Sequence, residues 1–168
     1  MKSIYDFIVK PAGERYSNKI KINDKELILN TNIENWKAVN RIAIVVETPL
    51  AFSTKIKKGD LVVVHQNVFR RFYDIKGKQK DSRSWFKEDL YFCNISQLYL
   101  YKQKNKWQTI LERCFVKPIV DTNDFTLDKE KKLVGILKYG NSSLEASGIN
   151  PGDLIGFTPN SEWDFIID

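Results

Sequence analysis

Asp6-Phe-Ile-Val-Lys-Pro11 returns later in the chain as Arg113-Cys-Phe-Val-Lys-Pro118, and the segments after each copy keep the same order. The first copy leads to the apolar run Ile42-Ala-Ile-Val-Val46, the second to Leu133-Val-Gly-Ile-Leu137. Each then passes through a turn into a third apolar run, Lys58-Gly-Asp-Leu-Val-Val-Val64 and Pro151-Gly-Asp-Leu-Ile-Gly-Phe157. Ala43 stands about as far from Gly59 as Gly135 does from Gly152. A repeat of this length implies one fold used twice, and two copies are too few for a solenoid, so duplicated domains are predicted.

The surrounding pattern is that of strands. Apolar residues alternate or gather in short runs rich in Val, Ile, Phe and Tyr, and helical periodicity is scarce. Turn residues fall between the runs at Asn23-Asp24, Lys58-Gly59-Asp60, Lys76-Gly77, Gly140-Asn141 and Asn150-Pro-Gly-Asp153. Strands are predicted at 4–10, 41–47, 60–65, 89–94 and 97–101, with a hairpin over 19–29 and a basic, aromatic excursion over 67–87 around Lys76-Gly77. Residues 30–39 are polar and irregular around Trp36, and 102–108 read as a tight polar connection. Many short strands with such turns point to an all-β fold of barrels or sandwiches.

The two copies differ in length. Pro11 to Ala43 is much longer than Pro118 to Gly135, so the first copy carries an insertion at 12–38. Further strands come after the third run of the first copy, whereas the second ends at Trp163-Asp-Phe-Ile-Ile-Asp168. The division expected is 1–102 and 110–168, with the second domain smaller and lacking its closing strand. An open strand edge invites pairing, so a neighbour or the first domain is expected to cover it. The first core is expected to hold Phe7, Val9, Ile42, Ile44, Leu61 and Val63; the second, Phe115, Leu133, Leu154 and Ile155.

Composition removes several classes of function. The 168 residues are 42% hydrophobic and 12% aromatic, enough for packed cores and unlike a disordered chain. No apolar run reaches membrane-spanning length. Asp6 falls where a signal peptide needs its apolar stretch, so secretion by that route is not expected. Cys93 and Cys114 lie in apolar runs and read as buried free thiols, consistent with a cytoplasmic protein. His65 is the only histidine and has no cysteine or carboxylate at ligand spacing, so no metal is expected. With one histidine and no Gly-x-Ser-x-Gly turn no serine triad can be argued, and no phosphate-binding loop occurs. Neither a catalytic residue nor a cofactor is expected.

The formal charge of +6 owes much to the stretch from Lys55 to Lys87, including Arg70, Arg71, Lys76, Lys78, Lys80 and Arg83. Nothing here has zinc-finger spacing, an aromatic RNA-binding pattern or a helix-turn-helix. The stretch reads as a solvated or protein-facing surface. Binding to nucleic acid, where it occurs, is expected to be nonspecific and salt-sensitive.

The ordered set of motifs resembles the GroES co-chaperonin family. Asp6-Phe-Ile-Val-Lys-Pro11 is similar to that family's first barrel strand. Lys57-Lys-Gly-Asp-Leu-Val-Val63 and Asn150-Pro-Gly-Asp-Leu-Ile155 are similar to its central Gly-Asp turn and strand, and Glu88-Asp-Leu-Tyr-Phe-Cys-Asn-Ile-Ser-Gln-Leu-Tyr99 to its closing segment. The resemblance covers most of 4–101 and, more weakly, 110–168, and implies two GroES-like barrels in tandem. The aromatic, basic excursion is like that of divergent co-chaperonins carried by tailed phages. In the family, the insertion after the first strand is a mobile loop whose apolar tripeptide docks on a chaperonin ring; the matching residues are Leu27, Ile28 and Leu29. The same tripeptide also fits one arm of a hairpin, opposite Ile20 and Ile22, so it reads either as an anchor or as strand core.

Two functions are implied by the resemblance. The first is a non-enzymatic co-chaperonin that forms a homo-oligomeric ring, caps a chaperonin in the host cytoplasm and assists folding of a capsid protein. The second is a virion structural or assembly protein that reuses the barrel and contacts capsid protein or DNA. The state of residues 14–35 separates them.

Overall fold

The computed structural model describes residues 2–16, 19–22, 25–28, 38–121 and 129–161, with the backbone path alone for 19–22, 25–28, 121 and 129. The chain forms two compact units, Met1–Trp107 and Gln108–Asp168. Among the described residues no helix is long and apolar enough to cross a membrane.

The fold is all-β. In the first unit the strands run β1 (Phe7–Pro11), β2 (Lys19–Ile22), β3 (Lys25–Ile28), β4 (Ile42–Glu47), β5 (Leu61–Val64), β6 (Arg71–Tyr73), β7 (Gln79–Asp81), β8 (Trp85–Lys87), β9 (Leu90–Cys93), β10 (Leu98–Gln103) and β11 (Lys106–Thr109), which ends just past the boundary. Seven of them make one sheet in the order β11-β10-β5-β4-β1-β9-β8, while β2–β3 and β6–β7 are two-stranded sheets of their own. The second unit holds β12 (Phe115–Asp121), β13 (Lys129–Tyr139), the short helix α1 (Ser142–Ala146) and β14 (Leu154–Gly156), with β13 central. Residues 162–168, on which the expectation of a missing closing strand partly rests, lie outside the described residues.

The first core is built on Phe7, Ile8, Val9, Ala43, Val45, Val62, Val63, Val64, Phe69, Tyr91, Leu98 and Leu100, all fully or almost fully buried. Phe69 meets Tyr91 edge to face at 4.9 Å between ring centroids. The expectation of Ile42, Ile44 and Leu61 is corrected: all three are half-buried, and on β4 it is Ala43 and Val45 that face the core. Every residue from Ile42 to Val46 is apolar, so alternation could not show which parity points inward. The register slips between Ile8 and Val9, where Ile8 opposes Glu47 and Val9 opposes Val45. Such a bulge places two residues against one and lets adjacent side chains turn inward together. In the second unit Leu137 and Ile110 are buried, Phe115, Leu133 and Ile155 are half-buried, and Leu154 is exposed rather than core.

Two elements escaped the sequence pattern. Residues 102–108 are not a bare connection: β10 returns as β11 through Lys104 and Asn105, at φ 47° and 62°. Positive φ at both central residues is the geometry that tight hairpins favour, and it is reached here without glycine. Helix α1 is five residues long, too short to show a period, and starts at Asn141, whose side chain accepts from the Leu144 amide at 2.9 Å.

The duplication is matched in register. In the first copy Val9 opposes Val45, Lys10 opposes Ile44 and Pro11 opposes Ala43; in the second Val116 opposes Leu137, Lys117 opposes Ile136 and Pro118 opposes Gly135. The bulge recurs at the equivalent place, between Phe115 and Val116. The third strands pair identically, Leu61 with Ile44 and Leu154 with Ile136. Both turns use the same bonds. The Lys57 amide donates to Asp60 Oδ2 at 2.8 Å and the Asn150 amide to Asp153 Oδ2 at 2.7 Å. The Gly59 and Gly152 amides donate to the Val45 and Leu137 carbonyls, both at 2.8 Å. Gly59 and Gly152 adopt φ of 90° and 105°, which only glycine takes without strain. The Gly-Asp pair is thus a turn device: glycine makes the corner and aspartate closes it.

The copies differ at one telling site. Ala43 is fully buried with its methyl accommodated, but a Cβ at the equivalent Gly135 would meet Val116 Cβ at 2.9 Å and the Lys117 carbonyl at 3.0 Å. Gly135→Ala is therefore expected to destabilise the second unit by about 1–3 kcal/mol through overpacking. Ala43→Gly should cost about 1 kcal/mol. Denaturant unfolding of both variants checks the asymmetry; a neutral or stabilising Gly135→Ala would contradict it.

Candidate functional site

Two hairpins leave the main sheet, and they share a root. The first is the insertion between β1 and β4, which are hydrogen-bonded neighbours. Its base is closed by a bridge between Tyr16 and Val39, both buried. The Asn40 amide donates to the Arg15 carbonyl at 3.0 Å and Asn40 Nδ2 to the Glu14 carbonyl at 2.9 Å. Beyond this base β2 and β3 pair in regular antiparallel register, Lys19 with Ile28, Ile20 with Leu27, Lys21 with Glu26 and Ile22 with Lys25. Leu27 and Ile28 therefore lie on β3, in a ladder separate from the seven-stranded sheet. Leu29 lies outside the described residues.

The second hairpin is β6–β7. Arg71 opposes Asp81, Phe72 opposes Lys80 and Tyr73 opposes Gln79. Asp74 builds the connecting turn: its Oδ1 accepts from the amides of Lys76 and Lys78, each at 2.9 Å. Gly77 supplies a φ of 72°.

Arg15 ties this hairpin down. Its side chain is only 11% exposed, and its Nη1 lies 2.5 Å from Asp81 Oδ1. Its Nε donates to the Phe69 carbonyl and its Nη2 to the Arg70 carbonyl at 3.3 Å. The guanidinium sits over the Tyr91 ring, 5.1 Å from its centroid. Tyr16 adds a second tie, its hydroxyl accepting from the Arg71 amide at 2.6 Å while the Arg71 guanidinium covers its ring at 5.7 Å. The Ser82 hydroxyl donates to the Val68 carbonyl at 2.6 Å. Burial against this cluster pushes the Tyr91 hydroxyl above its ordinary range. Sequence reasoning missed Arg15 and Tyr16, because a lone Arg-Tyr after a Gly-Glu pair carries no signal without its partners from 69–91.

The basic residues separate into two sets. Arg70 and Arg71 are half-buried at the root, each with a buried Nε that finds no hydrogen-bond partner among the described residues. Lys76, Lys78, Lys80 and Arg83 are exposed. Beside the root opens a cleft of about 740 Å³ whose lining mixes Lys10 and Arg71 with Glu14 and Asp89.

Cys93 and Cys114 are both free thiols. Burial pushes the Cys93 thiol far above its ordinary range, so it stays protonated. Cys114 is exposed, against the expectation that both are buried. It precedes β12 at the position matching Phe7, which β9 covers in the first unit. His65 caps a short 3-10 turn, Nδ1 accepting from the Asn67 amide at 3.1 Å, with its ring tilted on Tyr99 at 6.1 Å. Among the described residues no three His, Cys, Asp or Glu side chains gather as metal ligands would. Compared with known proteins, the sequence matches no family model, no curated protein and no solved structure.

Proposed function

We propose that the chain is a non-enzymatic, co-chaperonin-like protein whose two units are divergent GroES-like barrels. In this reading it forms a homo-oligomeric ring and caps a chaperonin ring, with Leu27, Ile28 and Leu29 of the inserted hairpin as the docking anchor. Its client would be a protein such as a viral capsid subunit, and its place the cytoplasm of the host cell. The observation that supports this most is topological. The β2–β3 hairpin arises between two adjacent strands of the sheet, from a base closed by Tyr16 and Val39, and its ladder is its own. Such an element can engage a partner without dismantling the sheet that carries it. One apolar anchor contributes only about 1.5–3 kcal/mol per large side chain, most of it offset by ordering, so a ring of copies is needed for useful affinity. The test is capture of a chaperonin ring by the tagged protein, with and without ATP. No nucleotide-dependent capture would end this reading.

A second reading is a virion structural or assembly protein. The regular four-pair register of β2–β3, rather than an irregular loop, favours it. So does the second hairpin with its exposed cations, which suits contact with an acidic surface.

A further inference from the structure

The two faces of the β6–β7 hairpin are unlike. One carries Arg71 and Asp81, committed to Tyr16 and Arg15 at the root. The other carries Phe72, paired across the strands with Lys80, and continues to Lys78 two residues along. Phe72 is 40% exposed, and Ile75 at the tip is fully exposed. Lys76, Lys78, Lys80 and Arg83 make no ion pair among the described residues. Asp74, opposite Lys78 at the turn end of this face, accepts from the amides of Lys76 and Lys78, and Asp81 pairs with Arg15, so neither carboxylate forms an ion pair with these cations. A part-exposed aromatic ring on a face with ammonium groups, on a hairpin anchored by Arg15, Tyr16 and Ser82, has a definite complement. The complement is a polyanion that also carries flat, stackable groups.

We propose that this face is a sequence-tolerant contact for single-stranded nucleic acid, with a base stacked on Phe72 and adjacent phosphates on Lys78 and Lys80. A purely acidic peptide such as polyglutamate would satisfy the lysines but offer the ring no flat group to stack on. Every base presents a π-face, so stacking is tolerant of sequence, and phosphate contact supplies the rest. The duplex hides its bases and engages only the lysines. This contact is independent of whether β2–β3 docks on a chaperonin.

The experiment is fluorescence anisotropy of the full chain with a labelled oligothymidine, over a salt series. Phe72→Ala is expected to weaken binding on the order of tenfold, within the range stacking contributes per base. Phe72→Trp should bind at least as well as the parent. Replacing Lys78 and Lys80 together by Ala should reduce the slope of log affinity against log salt by about 1.4, at roughly 0.7 per phosphate on a single strand. Should Phe72→Ala fail to fold, Phe72→Leu, which keeps apolar bulk but no ring, carries the same expectation. Three results each overturn the proposal: ring removal without loss of affinity, a duplex of equal length binding as tightly as the single strand, or polyglutamate displacing the oligonucleotide at equal charge.

Discussion

Replacing Ile28 and Leu29 together with Ser is expected to abolish capture of a chaperonin ring while shifting the melting temperature little. Each serine removes a side chain worth about 1.5–3 kcal/mol of apolar burial at the partner's surface, and the loss is repeated in every subunit of a ring. The parent fold should tolerate the change because, among the described residues, β3 pairs only with β2. If the tripeptide is instead strand core, the same substitutions bury polar groups and open cavities. The cost then is on the order of 2–5 kcal/mol per site, and the melting temperature falls by many degrees. A peptide of residues 18–34 should bind far more weakly than the intact assembly, since it docks alone. Chaperonin capture that survives in the folded double variant would leave the virion-assembly reading in front.

Arg15→Ala should be among the most damaging single changes to the first unit's stability. The guanidinium satisfies Asp81 and the carbonyls of Phe69 and Arg70, and covers the Tyr91 ring. Its removal leaves a carboxylate and two carbonyls without that donor in a part-buried place. Breaking a fully buried pair costs roughly 3–5 kcal/mol. The Asp81 side chain is about a third exposed, so solvent relieves part of this, and about 2–4 kcal/mol is expected. In a unit of this size that corresponds to a fall on the order of ten degrees or more. Asp81→Asn should cost less, because Arg15 keeps both carbonyls. Amide exchange should quicken across β6–β7 in Arg15→Ala. A loss of only a few tenths of a kcal/mol would remove Arg15 from its position as the tie.

The three-strand unit was legible because its turn chemistry is local. Lys58-Gly-Asp60 and Pro151-Gly-Asp153 each need glycine at the corner and aspartate beside it, and both leave their mark within four residues. The hairpin over 19–29 was legible for the same reason, as two alternating arms about a polar turn. What could not be read depends on partners far along the chain. Arg15 becomes a tie only when 69–81 fold back onto it, and Arg70 and Arg71 leave the exposed patch only because Tyr16 and Arg15 hold their backbone. Cys114 looked apolar by its neighbours, yet whether Phe7 or Cys114 is covered depends on a strand, β9, that the first unit supplies. The inward parity of β4 was hidden by a run with no polar residue in it.

The pairing of Phe7 with Cys93 and of Val9 with Tyr91 also has a meaning in time. During synthesis β1 emerges early and its partner β9 only after most of the first unit has been made. The ladders β4–β5 and β12–β13–β14 close over short stretches, and local contacts form faster than distant ones. One flank of β1 therefore stays open, an unpaired edge of the kind that recruits other chains, until β9 arrives. Pulse-labelled amide exchange during refolding should show β4 and β5 protected before β9, and simultaneous protection of all three would contradict this order. For this chain, even the unit with the better core passes through a stage with an open edge, and that stage lasts as long as translation takes to reach Cys93.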